Sequence, residues 1–172
     1  MLKINTKMGR INHKLASRLP RTDADSAPQT SQPPPASIGW VFDKPTMLEG
    51  MDISHPEPGE LGASMASVVA SLDGSASQYA AHMSAQGKKN DINTSLLEAM
   101  AGHVHTFKRK NNGTLPVHVI VYRNGMSEEQ YATVLDVEIA KIRQAIESNG
   151  GNGDDVTITF MSCSKRHSTR LV

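Results

Sequence analysis

From residue 46 onward, apolar residues in this chain of 172 residues recur in short runs, and the first runs have the spacing of strands. Residues 47–54, 64–73 and 78–86 each form such a run, and turn residues separate them. Short apolar runs bounded by Gly, Pro, Asp and Ser are typical of β-strands. Asp73-Gly74 is a turn signal between the second and third runs. We therefore predict three antiparallel strands within residues 46–86.

After residue 90 the pattern alternates between helical and strand spacing. Apolar residues three and four apart predict one helix over residues 91–107 and another over residues 131–146. Ser127-Glu-Glu-Gln130 is a capping box that predicts the start of the second helix. Strands are predicted at residues 117–124 and 156–163. Because a helix connects these two strands, they should lie parallel in the sheet.

The first 44 residues differ in character from the rest. Residues 2–15 carry an apolar stripe and a separate stripe of Lys and Arg at helical spacing, which predicts a basic amphipathic helix. Residues 22–37 contain three successive prolines and no large apolar side chain, so they cannot bury enough surface to offset the entropy of ordering. We predict a basic helix within residues 1–21, a Pro-rich linker over 22–44 and an α/β domain over 45–172.

Composition excludes several classes of protein. The single cysteine, Cys163, rules out an intrachain disulfide framework or a multi-thiolate metal site, and we predict that it is buried in its strand. No apolar run reaches the length of a membrane span. His103 and His105 are two apart on a predicted helix and point in different directions, so we interpret them as surface histidines rather than a metal pair. The net charge is +1, but basic residues concentrate at both ends and acids around Asp52.

Asp52 is the residue around which the predicted domain is organised. It lies in an apolar strand, where a carboxylate is costly to bury unless a cation or hydrogen bonds receive it. A cap on the following turn is the structural alternative. However, a carboxylate on the first strand, followed by a hairpin pair and alternating helices and strands, is the layout of a ribonuclease H-like α/β fold with a mixed sheet.

Four motifs in order resemble the Piwi domain of eukaryotic Argonaute proteins. They are Gly50-Met-Asp52-Ile-Ser-His55-Pro56, Val68-Val-Ala-Ser-Leu-Asp73, Tyr122-Arg-Asn-Gly-Met-Ser-Glu-Glu-Gln130 and Lys165-Arg-His-Ser-Thr-Arg-Leu171. The resemblance covers about residues 45–172 and, more weakly, 1–15. It implies a ribonuclease H-like fold truncated at its C-terminus, with one sheet face left uncovered, preceded by the end of a MID domain.

The resemblance also implies a chemistry that this chain alters. Active Piwi domains cut RNA with two divalent metals held by Asp, Glu, Asp and a fourth acid or His. The first position is Asp52, the Glu position holds Asp91, the second Asp position holds Asn124, and the fourth falls beyond Val172. Asp91 is one methylene short, a displacement of roughly 1 Å that can cost on the order of 100-fold in rate. Asn124 loses a charge and adds donors. We therefore predict no RNA cleavage, weak or no metal binding at Asp52, and no resident cofactor, with Mg²⁺ or Mn²⁺ needed for any remaining activity.

The basic ends are the predicted RNA-binding residues. Lys3 and Lys7 resemble the lysine pair that holds a guide strand's 5′ phosphate, and Lys165, Arg166 and Arg170 resemble the stretch that contacts guide phosphates. The expected partners are a small guide RNA, a target RNA and proteins of a silencing complex, with no membrane. We expect cytoplasmic localisation, with the nucleus as the alternative. The alternative functions are a metal-dependent RNA endonuclease and a degenerate gene product without activity.

Overall fold

The computed structural model describes Val41 and residues 43–88, 90–124 and 131–163. Within these residues the chain forms a five-stranded mixed sheet with strand order β3-β2-β1-β4-β5. The elements are β1 (Thr46–Ser54), β2 (Ser64–Ser71), β3 (Tyr79–Gln86), α1 (Leu96–Lys110), β4 (His118–Asn124), α2 (Tyr131–Ser148), a 3₁₀ turn (Gly153–Asp155) and β5 (Thr157–Cys163). The pairs β1–β2 and β2–β3 are antiparallel, whereas β1–β4 and β4–β5 are parallel. The predicted α/β class, with three antiparallel strands followed by alternating helices and strands, is confirmed.

Both helices pack on the same face of the sheet, where they build the core. Strand residues alternate between faces, so every second side chain of β1, β2 and β4 points towards the helices. The buried cluster on this helix-covered face combines Met47, Met51, Val68, Ala70, Val119 and Val121 from the strands with Met100, Val104, Phe107, Ile142 and Ile146 from the helices. Neither helix in the described ranges is long and apolar enough to cross a membrane.

The other face of the sheet exposes large apolar side chains. Met65, Val69, Met83 and Tyr122 are 40%, 38%, 67% and 46% exposed. The strand register puts them on the face opposite the helices, because Val69 and Tyr122 both pair with Gly50, and Met83 pairs with Ser67. We call this side the open face. Asp52 also belongs to it, since Asp52 pairs with Ser67.

Three details of the sequence prediction are wrong. Helix α1 begins at Leu96 rather than at residue 91, because Asn93 Oδ1 accepts the Ser95 amide and holds the preceding residues in a turn. His103 is buried, since it shares the inward stripe of α1 with Met100 and Phe107. Cys163 is exposed, because it ends the edge strand β5 on the open face. The predicted capping box at 127–130 and the basic segment 1–21 lie outside the described residues.

The turn after β2 is held by one carboxylate, that of Asp73. Asp73 accepts hydrogen bonds from the amides of Ser77 and Gln78, at 2.9 and 2.7 Å, and from the hydroxyls of Ser75 and Ser77. Partial burial alone would raise the pKa of Asp73, but these hydrogen bonds outweigh it and lower the pKa below its usual value. The predicted turn at Asp73-Gly74 is therefore present and depends on the ionised carboxylate.

Candidate functional site

Two of the predicted site residues meet directly at the carboxyl ends of β1 and β4. These strands are parallel neighbours, with Met51 opposite Arg123, so the next residues, Asp52 and Asn124, fall side by side on the open face. Asn124 Nδ2 donates a hydrogen bond to Asp52 Oδ1 at 2.7 Å. A carboxylate oxygen only accepts, so the amide nitrogen of Asn124 is the atom that faces it. An amide donor therefore occupies one side of the Asp52 carboxylate.

Asp91 reaches the same end of the sheet from the loop between β3 and α1. His55, which follows β1, places its Nε2 2.9 Å from Asp91 Oδ1 and its Nδ1 2.8 Å from Ser64 Oγ. Because the carboxylate of Asp91 only accepts, His55 carries a proton on Nε2, and its Nδ1 shares the second hydrogen bond with the Ser64 hydroxyl. The ring of His55 is thus oriented on both sides, and it fixes the side chain of Asp91.

A buried ion pair lies directly behind these residues. Arg123 and Glu138 have fully buried side chains, and Arg123 Nε donates to Glu138 Oε2 at 3.0 Å. The same guanidinium donates to the carbonyl oxygen of Asp91 at 2.5 Å and to that of Asn124. Charge-assisted hydrogen bonds of this kind are about twice as strong as neutral ones. Arg123 therefore ties α2, the Asp91 loop and the end of β4 together.

Glu138 also holds the loop between β3 and α1. Its Oε1 accepts the backbone amide of Asn93 at 3.2 Å, and Lys141 Nζ, one helical turn later, donates to the Asn93 carbonyl at 2.7 Å. Both backbone groups of Asn93 are therefore bound to α2. The loop that carries Asp91 is fixed from two sides, by Arg123 and by α2.

One more carboxylate lies behind the site, on the helix-covered side of β1. Glu49 is 1% exposed. Burial, with a smaller contribution from the negative charge of Glu138, raises the pKa of Glu49 to about 8. At neutral pH this side chain is therefore mainly in its uncharged, protonated form.

A cleft opens beside Asp91. Its volume is about 490 Å³, and His55, Pro56, Glu57, Glu60, Lys88 and Asp91 are among the residues that line it. Lys88 Nζ donates to the Glu60 carbonyl at 2.6 Å, so this lysine is held at the cleft wall. The cleft gives solvent access to the His55–Asp91 pair, with charges of both signs around it.

The side chains that the structure describes at this site do not match a centre for two divalent cations. Such ions need several anionic oxygens, and two of them must share ligands about 4 Å apart. Here Asn124 turns a nitrogen donor towards Asp52, and Asp91 Oδ1 is engaged by His55. In the part of the chain that the structure describes, no three His, Cys, Asp or Glu side chains are placed to hold one metal ion.

The remaining predicted site residues lie outside the described ranges. Lys3, Lys7, Lys165, Arg166 and Arg170 are all in this group, so their contact with RNA stays a prediction. Conversely, Arg123 and Glu138 are not among the site residues predicted from the sequence. The sequence does contain a signal for this pair. Arg123 follows Val119 and Val121 at every second position of β4, so it points towards the helix-covered face, where a buried charge needs a partner.

Comparison with known families decides what this arrangement belongs to. The Piwi domain family profile matches residues 1–172, the whole chain. This chain belongs to the Piwi domain family of Argonaute proteins. Protein argonaute 5 of Arabidopsis thaliana is 34% identical over 184 residues, covering 99% of the chain and 17% of that protein. Protein argonaute 1B of Oryza sativa subsp. japonica is 35% identical over 185 residues, covering 99% of the chain and 15% of that protein.

Solved structures agree on the fold. The Kluyveromyces polysporus Argonaute, crystallised with a guide RNA, is 28% identical with a TM-score of 0.63, over 72% of this chain and 14% of that one. The MID-PIWI domains of Neurospora crassa QDE-2 align with a TM-score of 0.64 at 23% identity, over 94% of this chain and 41% of that one. This second similarity bears on the fold alone. This Piwi chain spans about one-sixth of the length of the curated Argonautes it matches.

Proposed function

We propose that this Piwi chain takes part in small-RNA-guided silencing by binding guide and target RNA through phosphate contacts, and that it does not cut RNA. The proposal that the chain does not cut RNA rests on the hydrogen bond from Asn124 Nδ2 to Asp52 Oδ1. Cleavage by two metals requires anionic oxygens from both residues towards the same cations. An amide at position 124 supplies a donor where the chemistry needs a second carboxylate.

Binding to RNA phosphates needs charge and reach rather than metal ligands. The residues proposed for it are Lys3 and Lys7 near the start of the chain and Lys165, Arg166 and Arg170 near its end. Support comes from family membership and from the K. polysporus relative, which was crystallised with a guide RNA. We place this activity in the cytoplasm, with the nucleus as the alternative, and we expect proteins of a silencing complex as further partners.

One observation favours a metal-dependent endonuclease as the second candidate. The fold brings Asp52, Asn124 and the Asp91 loop to one end of the sheet, which is the arrangement that such an enzyme would need. Mg²⁺ or Mn²⁺ would be the ions involved. A chain without any RNA-related activity is the third candidate, and a binding measurement separates it from the first.

The binding test compares two triple variants of the full chain with equal loss of charge. Replacing Lys165, Arg166 and Arg170 with Ala should weaken binding of single-stranded RNA and flatten the salt slope by roughly 0.7 for each lost phosphate contact. The control replaces three exposed cations far from that segment in sequence: Lys44, Arg109 and Lys110.

Fluorescence anisotropy with a labelled single-stranded RNA, measured from low to moderate salt, gives both affinity and slope. We expect the Lys44, Arg109, Lys110 control variant to bind RNA more tightly than the Lys165, Arg166, Arg170 variant at every salt concentration. Equal losses in the two variants would mean that only net charge matters, and no measurable binding by the parent would favour the inactive candidate.

A further inference from the structure

Glu49 is a buried core carboxylate that lacks a hydrogen-bond partner in the described part of the chain. Glu49 falls between Met47 and Met51 on the helix-covered side of β1 and is 1% exposed. Neither Oε1 nor Oε2 of Glu49 has a hydrogen-bond partner among the described residues. Most buried polar atoms in proteins do have a partner, so an unpartnered carboxyl group in the core calls for an explanation.

The charged groups around Glu49 belong to the network behind the candidate site. Its strand partner on β4 is Val121, and Arg123 lies two residues further along the same face. Glu138, on α2, lies close enough for its negative charge to act on Glu49. The guanidinium of Arg123 is already engaged by Glu138 and by two backbone carbonyl oxygens.

Among the described residues on this side, Lys141 and His103 do not compensate a charge on Glu49. Lys141 on α2 donates to the Asn93 carbonyl. His103 on α1 is buried, and its burial, with a further contribution from His82 on β3, lowers its pKa. His103 is therefore uncharged at neutral and alkaline pH. An ionised Glu49 would thus repel the nearby carboxylate of Glu138.

We propose that Glu49 is a proton-operated switch on the Arg123–Glu138 pair, and so on the loop that carries Asp91. With its proton bound, Glu49 is neutral, and Arg123 and Glu138 hold the Asp91 carbonyl and the Asn93 amide as described. When the proton leaves, the negative charge of Glu49 repels Glu138 and weakens the hold of Glu138 on Arg123 and on the Asn93 amide. The loop between β3 and α1 then opens more often, because opening allows water to hydrate the charged carboxylate of Glu49.

Proton linkage fixes the direction and size of the effect. The pKa of Glu49 is about 8 in the folded chain and 4.5 as an ordinary exposed glutamate. Any opening that exposes Glu49 to water therefore releases a proton between these values. The opening equilibrium rises about tenfold for each pH unit in that window and levels off above the folded pKa. The stabilisation is complete below pH 4.5 and is lost as the pH rises towards 8.

The test is amide hydrogen exchange by NMR on the full chain between pH 6 and 9, corrected for intrinsic exchange rates, without RNA. The Asn93 amide, which donates to Glu138, reports on the loop. The Thr157 amide, which donates to the Val117 carbonyl at the opposite end of the sheet, reports on the rest of the fold. Glu49→Gln keeps the shape of the side chain without its charge, and Glu98→Gln removes an exposed glutamate on α1 as the control.

We expect protection of the parent's Asn93 amide to fall about tenfold per pH unit from pH 6 to 8, and to level off above pH 8. Glu49→Gln should remove this slope, and Glu98→Gln should keep it. A slope unchanged in Glu49→Gln would overturn the proposal. Equal protection of the Asn93 and Thr157 amides, with equal slopes against pH, would also overturn it, because Glu49 would then act only on global unfolding. If Glu49→Gln does not fold, the ¹³C-carboxyl titration of Glu49 in the parent decides, and a midpoint near 4.5 would exclude the switch.

Discussion

Removing either member of the buried Arg123–Glu138 pair should strongly destabilise the domain. Arg123→Met leaves the Glu138 carboxylate buried without its cation and also removes the donor to the Asp91 and Asn124 carbonyls. Breaking a buried ion pair in this way costs about 3–5 kcal/mol. Domains of this size are stable by only about 5–15 kcal/mol, so the loss would be a large share of the total.

The magnitude is best measured as a double-mutant cycle. Glu138→Leu alone should cost a similar amount, since it leaves the guanidinium unpaired. The double variant Arg123→Met with Glu138→Leu should lose less than the sum, with a coupling energy of about 0.5–3 kcal/mol. The control is an exposed ion pair, in which Arg143 Nη1 lies 3.5 Å from Asp154 Oδ1 and the Asp154 side chain is 92% exposed. Asp154→Ala should lower the free energy of unfolding by less than about 1 kcal/mol.

Urea unfolding followed by far-UV circular dichroism at pH 7 gives the free energies of unfolding of the parent, the three variants of the cycle and the Asp154→Ala control. Two results would refute the reasoning about this pair. One is an Arg123→Met variant within about 1 kcal/mol of the parent, the limit expected for an exposed pair. The other is a double variant whose loss equals the sum of the two single losses, which would mean that the residues act independently.

Three further outcomes follow from single side chains. Asp73→Asn should lower the urea midpoint at pH 7 and flatten its dependence on pH, because the lowered pKa of Asp73 gives stability that is lost as the pH falls through that pKa. A variant that loses stability at acidic pH as steeply as the parent would contradict this. Glu49→Leu should stabilise the chain by about 3 kcal/mol at pH 7, because pH 7 lies about 2.5 units above the ordinary pKa of 4.5 and below the raised pKa of about 8, and each unit corresponds to 1.36 kcal/mol. The gain should be much smaller at pH 5, and equal gains at both pH values would rule out the buried acid as the cause. The double variant Asn124→Asp, Asp91→Glu should bind Mn²⁺ more tightly than the parent in calorimetry but should still not cleave RNA. Equal Mn²⁺ affinity in the two proteins would argue against Asn124 as the residue that limits metal binding.

The adjacency of Asp52 and Asn124 could be predicted from the sequence because it depends on local patterns. Asn124 ends β4 and Asp52 lies near the end of β1, and the sheet order of the fold class places these strands side by side. Strand alternation also predicts which residues face the helices. Register then brings the two side chains within hydrogen-bond distance.

The network behind the site could not be predicted in the same way. The Arg123–Glu138 pair joins residues 15 positions apart on different elements, and periodicity assigned the buried face of α2 to apolar residues. The site of Asp91 depends on the turn around Asn93, which shortened the predicted helix α1. Glu49 sits in an apolar run whose pattern alone does not reveal a buried acid. Tertiary contacts decide these three features.

The most direct test of the proposed function is a cleavage assay with a labelled RNA and a complementary guide in Mg²⁺ or Mn²⁺. It compares the parent with Asp52→Ala, which removes the carboxylate that the family's chemistry would need first. We predict intact RNA with both proteins, since Asn124 donates to Asp52 where a second carboxylate would be required. Site-specific cutting by the parent that disappears in Asp52→Ala would contradict it and establish this chain as a metal-dependent endonuclease.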